Sequence, residues 1–520
     1  MLARGASLRR AVARSVVLAQ GEAGPGRSRD VCRAGERGTE LAFWTIGPAA
    51  RRRSPTKPHY ERLSALDAHF LELEDHGVHM HVAVVLVCDA RPLTRKDGGL
   101  DIDAIRGFVE SRLDAIPRYR HRLARIPIER HPIWIDDASF NLQYHVRHVS
   151  LPRPGDERQL KRLVGLLMSQ KLDHGKPLWE MWVIEGLEEH RFAILARCHH
   201  CMVDGIAGVG ILRELLRTEP AASFRPAKKW KPRPAPGSAR LVGEAFARRV
   251  REPLDLAAAA RRALRDPSRS LRSARDALLG LGESFVALRS ASPTPLNPAH
   301  VGPHRRMDWL RFDLEEVRAL RRRAGGTIND VVLATVAGAL RVWLREHRVG
   351  LAGLDLRAMC PVSVRSSSGD VLGNRVVMLV AQLPVDERDP RRRLERVIAT
   401  TRELKGSRVA QGSELLEEIA DWTTTSLVTE TIRLATRLRV FNLIVTNVPG
   451  PPVPLFLLDA PVEATIPLVP LYENQGFGIA LLSYAGGLYW GLSSDWDRLP
   501  DLHDVALHLE TSFEELRKAY

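Results

Sequence analysis

The residues best equipped for chemistry stand side by side in Cys198-His199-His200-Cys201-Met202-Val203-Asp204-Gly205. Imidazole is the side chain best suited to taking a proton from an alcohol near neutral pH. His200 is therefore the candidate general base, with His199 a supporting neighbour. Asp204 would brace the turn, and Gly205 would let the chain bend sharply. Two other chemistries use the same letters. A metal site needs converging ligands, but adjacent histidines on a strand diverge, unlike two spaced four apart on a helix. Cys198 and Cys201 have the spacing of a redox pair, without the Trp, Gly and Pro setting of a thioredoxin-like site. No metal and no cofactor is expected.

The surrounding pattern says which elements position these residues. Arg191 to Cys198 alternates as a strand does. Phe192, Ile194, Ala196, Cys198 and His200 should then share one face and His199 the other. Val209, Leu212 and Leu216 recur at helical spacing beyond Gly205. Trp182-Val183-Ile184 and Phe192 to Leu195 flank Leu187 to His190, a hairpin that delivers the histidines. Pro177-Leu178-Trp179 is a bend with a large aromatic to pack. Strands are expected at 82–87 and 144–149. The latter would put His145 and His148 on opposite faces, and neither is taken as catalytic. Helices are expected at 101–113 and 159–171. Pro220 to Pro236 is rich in proline and lysine and reads as an exposed linker. Two Arg- and Leu-rich helices follow, about 239–262 and 270–288, suited either to membrane docking or to packing as a crossover. In the second half Thr327 should cap a helix that starts Ile328-Asn329-Asp330 and continues as an apolar run to Leu344. A rigid turn is expected at Asn447-Val448-Pro449-Gly450-Pro451, and a hairpin at 476–494.

Length and composition narrow the classes. A chain of 520 residues should form more than one domain. Five cysteines, at 32, 88, 198, 201 and 360, make no disulfide framework and favour a reducing compartment. The net charge is +15. Residues 1–55 hold eleven Arg against four acidic residues, so nearly half of that charge sits in this poorly patterned start. It reads as a disordered extension, a targeting segment or a start-site artefact. No zinc finger, RNP-like motif or basic zipper accompanies the charge, so nucleic acid is not the expected partner. Basic surface also suits anionic lipid or the phosphates of coenzyme A. No apolar run reaches the ~18 residues of a membrane span, and the longest, Val331 to Leu344, is broken by Arg341.

Set in order, these blocks resemble a known family. His-His-x-x-x-Asp-Gly is the signature of the chloramphenicol acetyltransferase and condensation-domain superfamily. Four further blocks resemble its bacterial wax ester synthase/acyl-CoA:diacylglycerol acyltransferase branch: Leu63-Ser64-Ala65-Leu66-Asp67 with Phe70-Leu71, Pro177-Leu178-Trp179-Glu180, Asn329-Asp330 and Asn447-Val448-Pro449-Gly450-Pro451. The resemblance implies an α/β fold of two chloramphenicol-acetyltransferase-like lobes, at 56–217 and 301–520, joined by 218–300. It places the active-site tunnel between the lobes. It also implies fatty acyl-CoA as donor, with diacylglycerol or a long-chain alcohol as acceptor, at a membrane or lipid-inclusion surface. Pro177, Leu178, Trp179, Asn329, Asp330 and Asn447 are carried over as candidate substrate-binding residues, Arg365 as a further motif residue, and Arg120 or Arg122 as the partner of Asp204. The alternatives are a tailoring acyltransferase that takes a carrier-protein thioester, or a non-catalytic lipid-binding protein.

Overall fold

The computed structural model describes residues 60–202, 213–250, 290–364, 375–406 and 439–520. Its strands are β1 (Glu61–Arg62), β2 (His81–Asp89), β3 (His121–Arg125), β4 (Pro132–Asp136), β5 (Val146–Ser150), β6 (Trp179–Leu187) and β7 (Arg191–His199) in the first half. The second half adds β8 (Arg305–Asp313), β9 (Leu356–Val364), β10 (Arg375–Leu383), β11 (Leu443–Val448), β12 (Phe456–Leu457), β13 (Ala460–Leu468), β14 (Phe477–Tyr484) and β15 (Gly487–Asp495). The helices that matter here are α1 (Ala65–Leu73), α2 (Ile102–Arg112), α3 (Glu157–Met168), α4 (Leu314–Ala324), α5 (Ile328–Glu346), α6 (Pro390–Gly406) and α7 (Leu502–Ala519).

Two six-stranded sheets carry the fold. One runs β12-β13-β2-β7-β6-β5 and the other β10-β9-β11-β14-β15-β8; β1, β4 and β3 form a small third sheet. The C-terminal half is not confined to its own lobe. The strand Ala460–Leu468 leaves the 301–520 region and pairs antiparallel with β2, matching Ile466 to Val85. This exchange is invisible to local pattern, because β13 alternates in burial like any half-buried strand. Where the two sheets meet, β15 approaches β13 so closely that a Cβ on Gly491 would sit 1.7 Å from the Pro467 carbonyl oxygen. Glycine is the residue that permits such an approach.

Each sheet has its own core. Phe108 and Val109 of α2 and Leu160, Val164 and Leu167 of α3 pack on the first sheet with Val85, Val183 and Ile194. Under the second, α5 is buried along most of its length, which explains its continuous apolar run. Thr327 and Asp330 cap it reciprocally. No single described helix is long and apolar enough to cross a membrane, and the bent pair α4 and α5 reaches the threshold only together.

One local expectation is corrected. The segment 144–149 is not one strand: residues Leu142–His145 make a helical turn, and β5 begins at Val146. His145 thereby turns inward, where its Nδ1 lies 2.7 Å from the Trp179 carbonyl. The proline-rich stretch after Thr218 is mostly exposed but strapped down. Arg233 pairs with Asp136 at 2.8 Å, and the Trp230 ring lies under the Arg120 guanidinium at 4.8 Å. Residues 238–250 are helical; the remainder of that helix, and the second one expected at 270–288, lie outside the described residues.

Candidate active site

The site is built at the end of β7, an interior strand with β2 on one side and β6 on the other. The strand ends at His199, one residue earlier than the alternation predicts, and His200 opens a single 3-10 turn, His200–Met202. Its neighbours clamp both histidines through the backbone. The His199 amide donates to the Leu178 carbonyl at 2.9 Å, and the His200 amide donates to the Met80 carbonyl at 2.7 Å. An interior strand can be held this way from both sides, which an edge strand cannot.

The side chains then part company. His199 is fully buried. The His200 side chain is half-buried, its ring centroid 4.1 Å from that of Phe70 on α1. Its exposure is what a proton-transferring group needs. Burial drives the His199 pKa down to about 3, so its imidazole is neutral. The Cys201 amide donates to His199 Nδ1 at 3.2 Å. A neutral imidazole carries one proton, so that proton sits on Nε2.

His199 Nε2 faces a carboxylate that the sequence reading missed. Glu74 lies just beyond α1 and is almost fully buried, with one oxygen 3.9 Å from His199 Nε2. His174 Nε2 lies 2.8 Å from its other oxygen, and His81 Nε2 lies 3.4 Å from the first. Burial alone would raise the Glu74 carboxyl. The His174 hydrogen bond and the imidazoles of His81 and His199 overcome that and hold it well below the usual carboxylate range. The signal was legible in part. Glu74 follows Phe70-Leu71, His81 lies in Met80-His81-Val82, and His174 lies three residues before Pro177. Nothing local says that these three segments converge.

Glu74, His174 and His199 bring three possible metal-ligand atoms within 4.8 Å of one another. The proton on His199 Nε2 argues against a metal there, since a ligating nitrogen must offer a lone pair. A redox role for Cys198 and Cys201 fares no better: both are buried free thiols, and burial raises the Cys198 thiol to about 12 and pushes Cys201 up as well.

Other candidates are placed as follows. Pro177, Leu178 and Trp179 are buried, and Leu178 supplies the carbonyl that holds His199. Trp179 stacks on Tyr119 at 4.4 Å and on His145 at 4.6 Å, and its Nε1 donates to the Tyr119 carbonyl. These contacts fix the segment whose backbone holds His199. The Asp330 carboxylate is taken up by the Thr327 amide and the Thr401 hydroxyl. Asn447 Nδ2 donates to Asn329 Oδ1 at 2.7 Å, so the structure joins two motif blocks 118 residues apart. Arg120 is buried and pairs with Asp114, and Arg122 donates to the Leu123 carbonyl. Asp204, Gly205 and Arg365 lie outside the described residues.

The chain matches the wax ester synthase/diacylglycerol acyltransferase catalytic domain over residues 63–332 and the corresponding C-terminal domain over 372–517. It belongs to the wax ester synthase/diacylglycerol acyltransferase family. A Mycobacterium tuberculosis relative named as a diacylglycerol O-acyltransferase is 33% identical, covering 89% of this chain and 91% of its own. Another from the same organism, tgs1, also named as a diacylglycerol O-acyltransferase, is 32% identical over 87% of this chain and 95% of its own. Among solved structures, the wax ester synthase/diacylglycerol acyltransferase of Marinobacter aquaeolei superposes with a TM-score of 0.64 at 24% identity, covering 88% of this chain and 98% of that one. The starter condensation domain of rhizomide synthetase shares the fold more distantly, at a TM-score of 0.53 and 13% identity over 88% and 94% of the two chains. The family establishes the chain as an acyltransferase, and its two-sheet α/β fold is one that condensation domains share.

Proposed function

We propose that this acyltransferase moves a fatty acyl group from coenzyme A to the free hydroxyl of diacylglycerol, and accepts long-chain alcohols as well. The family and its diacylglycerol-named relatives support the substrate class. One observation carries the mechanism: His200 is half-buried at the end of an interior strand, directly after a fully buried, neutral His199. His200 takes the hydroxyl proton as the alcohol oxygen attacks the thioester carbonyl. The tetrahedral intermediate collapses, the C–S bond breaks, and the imidazolium returns the proton to the leaving thiolate. One base serves both halves, the products are an ester and free coenzyme A, and no cofactor is required. Holding both substrates in register contributes alongside the base.

Peripheral contact with a lipid surface belongs to the same proposal. The helix 238–250 exposes Phe246 and Val250, four residues apart on one side, with Arg249 between them, an apolar and basic face of the kind that seats on anionic bilayers.

The test is release of free coenzyme A from palmitoyl-CoA, with diacylglycerol or hexadecanol in separate reactions and His200→Ala alongside. Release with either acceptor, lost in the variant, supports the proposal. Acceptor-independent release would mean a hydrolase. No release in any tube would point to a carrier-protein donor or a lipid binder.

A further inference from the structure

We propose that Glu74 is the positioning residue of the histidine motif: its buried carboxylate takes the Nε2 proton of His199, and so selects the tautomer whose Nδ1 holds the Cys201 amide and sets the turn that presents His200. The inference rests on His200 as base only for its effect on rate.

Three observations converge on this. First, the Cys201 amide donates into His199 Nδ1, which leaves Nε2 as the protonated nitrogen. Second, that Nε2 and the nearer Glu74 oxygen, Oε1, are both buried without a hydrogen-bond partner among the described residues, and they face each other at 3.9 Å. A buried donor and a buried acceptor each lose free energy while unpaired, so a shift of about 1 Å that joins them is favoured. Third, His174 addresses the other carboxylate oxygen, Oε2. His81 Nε2 stands 3.4 Å from Oε1 and also 3.4 Å from the Leu172 amide, which donates to it. With that nitrogen accepting, the N–H donor left for Oε1 is His199. The carboxylate also lies at the end of α1, whose Phe70 packs on the His200 ring. Movement of Glu74 therefore shifts both the back and the face of the catalytic imidazole.

The arrangement has the logic of a carboxylate that orients a histidine and picks its tautomer, applied one residue away from the base. Glu74 acts through His199 and touches no reacting atom.

The experiment is a tautomer measurement joined to kinetics. Histidine-labelled protein, read by ¹⁵N-¹H correlation spectra at pH 7, should show His199 as the Nε2–H form. In Glu74→Gln that assignment should be lost or mixed, with kcat lowered about 10–100-fold, the scale of lost outer-sphere orientation, and the acyl-CoA KM within about twofold. Glu74→Asp, which keeps the charge and retracts it by one methylene, should recover part of the kcat. A wild-type spectrum with His199 as Nδ1–H overturns the proposal whether or not the variants fold. So does a folded Glu74→Gln with unchanged kcat, or one equivalent of zinc whose removal abolishes activity, because a metal-bound Nε2 cannot donate. If His200→Ala keeps full activity while His199 stays Nε2–H and responds to Glu74→Gln, the base assignment fails and the positioning role stands.

Discussion

At the scale of the residue, the two adjacent histidines divide the work by burial. General-base catalysis contributes about 10²–10⁴-fold, so His200→Ala should lose activity on that scale. Its thermal unfolding should stay within a few degrees of the parent, checked by calorimetry beside the coenzyme A assay. His199→Ala should lose less activity and more stability, because it empties a fully buried site. The same burial makes stability depend on pH. His199 and His79 titrate in the folded chain at about 3 and about 4, against ~6.5 unfolded. Below pH ~6.5 the unfolded chain therefore binds protons that the folded chain refuses, and stability falls as pH drops towards 4. Each such histidine contributes up to about 1.4 kcal/mol per pH unit in that window. The Glu74 carboxyl, depressed on folding, adds stability that is present above its unfolded pKa and lost further into acid. Urea midpoints at pH 7.5, 6 and 5 should decline in order; a flat profile would contradict the buried-neutral assignment.

At the scale of the element, the β6–β7 pair is held by a buried ion pair as well as by its ladder. Arg197 donates to Glu180 at 2.7 Å and to the carbonyl of Gln170 beyond the end of α3. Arg147 and Trp182 supply further donors to the same carboxylate. Removing one partner strands the other away from water. Glu180→Ala should cost about 3–5 kcal/mol, read as a lower urea midpoint. Activity should fall at assay temperature only as far as the folded fraction does. The hairpin that delivers the histidines was legible because both strands alternate and flank a polar turn. The capped helix α5 was legible for a similar reason, Thr327 standing just ahead of an apolar run. The strand expected over 144–149 failed because one helical turn carries too few residues to show its period.

At the scale of the whole molecule, the seam between the sheets is closed by chain that crosses it. The strand Ala460–Leu468 joins the first sheet, and Gly491 of β15 lets the second sheet lie against it. Arg305 ties the seam again: its buried guanidinium donates to the Gly77 and Gly302 carbonyls, and its amide to the Ser169 hydroxyl. Gly491→Ala places a carbon where Pro467 already has backbone, so neither side can yield cheaply. The expected result is a loss of more than about 2 kcal/mol, a size reserved for named steric faults, in denaturant titration. At the surface, flotation with anionic vesicles should recover more protein than with zwitterionic ones, and Phe246→Ser should reduce that binding without altering turnover of dispersed substrate.

The sequence by itself determined the family, the order of the blocks, most strands and helices, and the identity of the histidine pair. Those follow from side-chain type and short-range period, which the chain carries locally. Tertiary structure alone decided three things. It ended β7 at His199, because the chain enters a 3-10 turn at His200 while the bond from the His200 amide to the Met80 carbonyl keeps that turn at the end of the sheet. It moved β13 into the first sheet, because pairing partners as far apart in the chain as Ile466 and Val85 leave no local trace. And it brought Glu74, His81 and His174 around His199, because burial of a carboxylate among imidazoles is a property of converging segments that no one of them contains.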